Sequence, residues 1–143
     1  MTMRTYEYPV RFTPAEEGGW VLTCRDVPEA ISQAEAHEDR EEVAAGCLQA
    51  AIESRMQDGE DLPRASRVRA GELKVALPID TAAKAALFEA MREAQISKSD
   101  LARRLGVDEK EVRRMLDPGH PSKIPRIAQA LKVLGKRVQL GFV

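Results

Sequence analysis

The sequence predicts an α+β protein in two halves, an N-terminal β-β-β-α-β unit followed by an all-α unit that ends in a β-strand. Three observations carry this reading. Apolar residues alternate at Tyr6, Tyr8, Val10 and Phe12 and again at Trp20, Leu22 and Cys24, which is the two-residue period of half-buried strands. The period becomes helical between Glu38 and Asp58, where Val43, Cys47, Leu48, Ala51, Ile52 and Met56 share one face. Later, the stretch SKSDLARRLGVDEKEVRRML, from Ser97 to Leu116, divides at Gly106 into two short helical patterns, each opened by a capping residue.

In chain order, the first strand is expected from Thr5 to Phe12. Glu16-Glu17-Gly18-Gly19 turns the chain into a second strand that pairs with the first as a hairpin, and a short third strand is expected from Glu29 to Gln33. The long helix has acidic residues near its start, which complement its dipole, and Gly59 stops it. Glu60 to Gly71 reads as a connection back to the sheet. A strand from Leu73 to Ile79 then closes the half, with Leu73, Val75, Leu77 and Ile79 facing inward and Pro78 tolerated near the strand end.

Asp80 is expected to cap a helix over Thr81 to Ala94 that packs through Ala85, Leu87, Phe88 and Met91. In the divided stretch, Ser97 and Asp108 are the caps, with Asp100 and Glu111 three residues later as in a capping box. Leu101, Ala102 and Leu105 form one apolar stripe and Val112, Met115 and Leu116 another, so two short helices can pack across the Gly106-Val107 corner as a helix-turn-helix. After the breaker-rich loop from Asp117 to Pro121, Ser122 is expected to cap a helix with Pro125 in its first turn. Its buried stripe would be Ile124, Ile127, Ala128, Leu131 and Leu134, with Gly135 at its end. Val138, Leu140 and Phe142 alternate in the final segment, which predicts a terminal strand that needs a partner edge.

Charge separates the halves. The net charge is only −1, but residues 1–72 hold 15 acidic and 8 basic residues while residues 73–143 hold 8 acidic and 14 basic. The second half is cationic enough to meet phosphates, and the charge of the first half marks either a different partner or simply a solvated face. An ordinary helical hairpin has no reason to gather Lys98, Arg103, Lys110, Arg113 and Arg114 on its outer face, so DNA binding is the functional reading of this segment. Domains are expected at residues 1–79 and 80–143. Halves of about 70 residues are marginal alone, so a homodimer or higher oligomer is expected.

Cys24 and Cys47 form no C-x-x-C pattern, and with His37 and His120 as the two histidines no cluster has zinc-ligand spacing. No metal or other cofactor is expected. No apolar signal core opens the chain, and no apolar run approaches the roughly 20 residues of a membrane span, so a cytoplasmic protein without membrane contact is expected.

The Ser97–Leu116 segment resembles the DNA-binding helix-turn-helix of phage-repressor-like regulators. More of the chain resembles HicB-type antitoxins of HicAB toxin-antitoxin modules. That resemblance rests on Gly18-Gly19-Trp20-Val21, Arg25-Asp26-Val27-Pro28, Glu41-Glu42-Val43-Ala44, Asp61-Leu62-Pro63 and the HPSKIPRIAQAL continuation after the helix pair. It implies a partial RNase H-like fold for the first half, which would bind a small HicA-type ribonuclease toxin, and a second half that represses the shared operon by binding double-stranded operator DNA. The chain departs from the family pattern at Arg25, where Pro is common, and at Glu29, where Gly is common.

On this reading the toxin-binding residues are Trp20, Arg25, Asp26 and Glu29, and the DNA-binding residues are Lys98, Ser99, Arg103, Lys110, Arg113 and Arg114. An RNase H-like fold also raises catalysis by metal-bound carboxylates, with Glu7 and Asp26 as strand-borne candidates. Glu7 lies out of phase with Tyr6 and Tyr8 and no spacing selects a triad, so no catalytic residue is assigned and the chain is read as a non-enzyme. The rival reading is a helix-turn-helix transcription regulator whose first half senses a small ligand.

Overall fold

The structure is a computed structural model that describes residues 3–143. It divides into two compact units, Met1–Pro78 and Ile79–Val143. Unit 1 contains the strands β1 (Glu7–Pro14), β2 (Trp20–Thr23), β3 (Ile31–Ala34) and β4 (Glu72–Ala76), with the helix α1 (Arg40–Gln57) between β3 and β4. Its sheet has the order β3-β2-β1-β4, and each neighbouring pair is antiparallel.

The strand alternation works as the sequence implies. Tyr8, Val10, Phe12, Leu22 and Val75 are buried on one face, and α1 contributes Ala44, Leu48, Ala51, Ile52 and Met56 to the same core. Asp39 caps α1 by accepting from the amides of Glu41 and Glu42. Gly19 is required at the β1–β2 turn for two reasons. Its φ is +76°, and a Cβ there would lie 2.3 Å from the carbonyl oxygen of Ala34 on β3.

Several boundaries differ from the expectation. β3 starts at Ile31 because Pro28 and Glu29 belong to a turn in which the amide of Ala30 donates to Val27 and that of Ile31 to Glu29. β4 runs from Glu72 to Ala76, since its ladder follows β1 and ends opposite Glu7. Val75 and Leu77 are buried as expected, but Leu73 and Ile79 are exposed: Leu73 lies near the start of an edge strand and Ile79 already belongs to the next helix.

Unit 2 consists of α2 (Ile79–Ala94), α3 (Lys98–Leu105), α4 (Glu109–Leu116) and α5 (Ile124–Val133). Its core gathers Leu87, Ala90, Met91, Leu101, Ala102, Val112, Met115, Ile127, Ala130 and Leu131. Asp80 sits inside the first turn of α2 rather than before it. Ser122 does not cap α5 either; Lys123 takes the N-cap position without a side-chain bond, and the Ser122 hydroxyl instead meets the Lys84 ammonium and the Arg114 carbonyl.

The terminal strand is a correction. Residues 136–143 pair with no strand among the described residues, and Val138, Leu140 and Phe142 remain exposed. An alternating pattern supplies one apolar side, but a strand also needs a neighbouring edge for its backbone groups, and this segment has no such ladder among the described residues.

Candidate functional site

The α3–α4 pair is built from its caps and its corner. Ser97 accepts from the amide of Asp100, and Asp108 accepts from that of Lys110. Gly106 closes α3 with φ +68°, its amide directed at the carbonyls of Ala102 and Arg103, so the chain reverses within three residues. Leu101, Ala102, Val112 and Met115 are buried on the facing sides, leaving the polar sides outward. The expected box at Asp108 is incomplete: Glu111 reaches Arg126 and Arg114.

All six candidate DNA-binding residues are exposed in this unit. Lys98 lies at the start of α3 and Lys110 in the first turn of α4. Ser99 donates to Glu109 at 3.1 Å, which ties the first turns of the two helices together. Arg103 pairs with Asp100 at 2.6 Å, Arg113 with Glu109 at 2.9 Å and Arg114 with Glu111 at 3.8 Å. The hydrogen bond from Ser97, and then the charge of Arg103, holds the Asp100 carboxyl below its ordinary range. Arg113 and then Ser99 do the same for Glu109. These pairs are solvent-exposed and screened by water, so the arginines exchange carboxylate for another anion at little cost.

Sequence reasoning passed over two cations here. Arg104 is exposed next to Arg103, and the adjacent pair of arginines was its only signal. Lys84 on α2 is 4% exposed. It lies on the same stripe as Leu87, Phe88 and Met91, a position where a helical pattern announces an apolar residue.

In unit 1 the four candidate toxin-binding residues do not form one patch. Trp20 is half-buried at the start of β2, and the Arg40 guanidinium stacks over it at 4.2 Å and over Phe12 at 4.7 Å. Arg25 grips Glu72 with two bonds of 2.9 Å and also donates to the carbonyl of Arg67. Asp26 accepts from the Ser66 amide at 2.8 Å and hydroxyl at 2.6 Å. Glu29 pairs with Arg55 through bonds of 2.6 and 2.8 Å, and that pairing lowers its pKa. Arg40 and Arg55 are fifteen residues apart on α1, roughly 22 Å along a helix, so Trp20 and Glu29 mark opposite ends of it.

Arg25 and Asp26 are brought together, and what they organise is the segment between α1 and β4. Glu72 is the anchor, its side chain 2% exposed and its pKa lowered to about 2, first by the hydrogen bonds from Arg25. Glu72 also accepts from the amide of Arg69, and Arg11 donates to the carbonyl of Ala70. Arg25 and Glu29 both form intrachain ion pairs. Burial pushes the thiols of Cys24 and Cys47 up, so both are poor nucleophiles. Glu7 lies 3.5 Å from Lys74, and Asp26 is taken by Ser66. Among the described residues no group of three His, Cys, Asp or Glu could hold a metal ion, and no helix is long and apolar enough to cross a membrane.

Residues 7–86 match the family model described as "HicB_like antitoxin of bacterial toxin-antitoxin system". The chain is 34% identical over 136 residues to Antitoxin HicB of Escherichia coli (strain K12), an alignment covering 95% of this chain and 99% of that one. It is 31% identical over 140 residues to Antitoxin HicB 1 of Photorhabdus laumondii subsp. laumondii, covering 98% and 89% of the two chains. Antitoxin HicB of Pseudomonas fluorescens (strain Pf0-1) is 34% identical over 129 residues, covering 87% and 86%. A mixed four-stranded and helical unit followed by a cationic helical unit, matched along nearly its whole length by these relatives, belongs to the family of HicB-like antitoxins of bacterial toxin-antitoxin systems.

Proposed function

We propose that this chain acts in the cytoplasm, binds and occludes a small HicA-type mRNA-cleaving ribonuclease through residues 1–79, and represses its own operon by binding operator DNA through residues 80–143. The observation that carries the DNA half is the outer surface of α3 and α4, where Lys98, Arg103, Lys110, Arg113 and Arg114 stand exposed over an apolar contact. Acting as a helix-turn-helix, the pair would place α4 in the major groove, with Lys110, Arg113 and Arg114 meeting the DNA and Lys98, Ser99 and Arg103 holding its backbone.

The toxin half is supported by family membership and by the acidic balance of residues 1–72, which steers a basic partner. Trp20 supplies an apolar contact at the hairpin end, while Arg25, Asp26 and Glu29 act mainly by holding the neighbouring segments. The mechanism is occlusion. A fragment of residues 1–79 should therefore neutralise the toxin without binding operator, and its association should slow as salt rises. The assay is RNA cleavage by the toxin encoded alongside, with equimolar fragment shown to be folded by circular dichroism. Persistent cleavage would refute separable neutralisation.

Operator binding by two copies is part of the same proposal. A dimer through unit 2 would bring the exposed Val138, Leu140 and Phe142 of two chains together, and would set two α4 helices on half-sites about 34 Å apart. Deleting residues 138–143 should lower both dimerisation and operator affinity. A truncated protein that stays dimeric by light scattering would place the interface elsewhere.

A further inference from the structure

The α4–α5 connection loses two helical donors that its own residues replace only in part. In a continuing helix the carbonyl of Arg114 would accept from the amide of residue 118, and that of Asp117 from residue 121. Both of those residues are proline, which has no N–H. Further donors come from another helix. The buried ammonium of Lys84 on α2 reaches the Arg114 carbonyl at 2.9 Å, the Asp117 carbonyl at 2.8 Å and the Ser122 hydroxyl at 2.9 Å. Ser122 in turn donates to the Arg114 carbonyl at 3.1 Å.

We propose that Lys84 is a positioning residue for DNA recognition: its ammonium locks the C-terminal end of α4, and the loop leading to α5, in the orientation that presents α4 to the groove. The inference rests on the DNA-binding role of α4 and goes beyond it, because Lys84 is too deeply buried to touch DNA. Two features separate this role from simple core filling. Ser122 joins this cluster immediately before the N-cap of α5, Lys123, which itself makes no side-chain bond, so the start of α5 is tied to α2 and α4 by the cluster and not by a cap of its own. The acceptors also keep other donors, since the Asp117 amide lies 3.3 Å from the Arg114 carbonyl and the His120 amide 3.1 Å from that of Asp117. Unit 2 can therefore fold without the ammonium, whereas the pose of α4 depends on it. The positive charge also lies at the negative end of the α4 dipole, where it is favoured.

The test is Lys84→Met in the full-length protein, a swap of similar volume that removes the charge and the three donors. Hydrogen exchange is compared with the wild type, together with affinity for a duplex of the DNA upstream of the gene and for an unrelated duplex of equal length. We expect the variant to remain folded by urea titration, the amides of residues 114–117 to exchange at least about tenfold faster, operator affinity to fall about tenfold, and affinity for the unrelated duplex to change less than about twofold. Ser122→Ala should give a weaker form of the same result. Unchanged protection at 114–117, or equal losses on both duplexes, would overturn the positioning role. If protection falls as expected but wild-type protein shows no preference for the upstream duplex, the DNA reading fails, and the positioning role fails with it. If Lys84→Met does not fold, Ser122→Ala decides by the same two measurements.

Discussion

Replacing Arg113 and Arg114 together by Ala should weaken operator binding by about 1–3 kcal/mol for each base-reading contact, while unit 2 stays folded. Both arginines are more than half exposed on α4, with side-chain exposures of 62% and 52%, so truncating them removes little packing. The ion pairs that hold them, to Glu109 and Glu111, are solvent-exposed surface pairs that give way readily to phosphate or guanine. In the double variant Glu109 loses its cationic partner, while Glu111 keeps its pairing with Arg126, so the loss gains a further contribution from the uncompensated Glu109 carboxylate. A phosphate role and a base-reading role separate by salt and by sequence. An arginine that clamps phosphate, once removed, would lower the salt slope by about one and weaken all duplexes alike, whereas removing one that reads a base would relax preference at a defined position. A folded double variant with wild-type operator affinity would remove α4 from the interface.

The second large effect lies in unit 1. Glu72→Gln should destabilise that unit by about 2–3 kcal/mol at neutral pH, because it leaves Arg25 without its bidentate partner at a site where the carboxylate side chain is 2% exposed. The figure sits below the range for fully buried pairs because Arg25 keeps 26% side-chain exposure and can turn toward water. The pH dependence has a definite sign. The folded carboxyl titrates at about 2 and its ordinary value is 4.5, so its stabilisation is complete above about pH 4.5 and disappears as pH falls toward 2. Wild-type protein should therefore lose more stability than Glu72→Gln between pH 5 and 2. Urea titrations at both ends of that range measure it, and parallel curves would contradict the assignment. Residues 66–71, held through Arg25, Asp26 and Glu72, should become accessible to protease in the variant.

Much of the fold was legible in the sequence because its signals are local. The alternation of Tyr8, Val10 and Phe12 needs only the strand period, the Ser97 and Asp108 caps need only an oxygen ahead of free amides, and Gly106 needs only a left-handed turn. The same locality made the outer cations of α3 and α4 readable, since residues opposite a buried stripe must face outward. What no local pattern contains is the choice of partner over long sequence separations. Arg25 reads as one charge among many until the fold sets it against Glu72, forty-seven residues away, and Ser66 likewise holds Asp26 across forty residues. Lys84 stands in the sequence as a lone cation on an otherwise apolar stripe, and Ser122 reads as a helix cap. Only tertiary packing, by bringing α2 against α4 and α5, makes the one a buried donor and the other its acceptor. The terminal segment shows the opposite case: its alternation is plain in the sequence, but a strand exists only when another backbone supplies the missing half of the ladder.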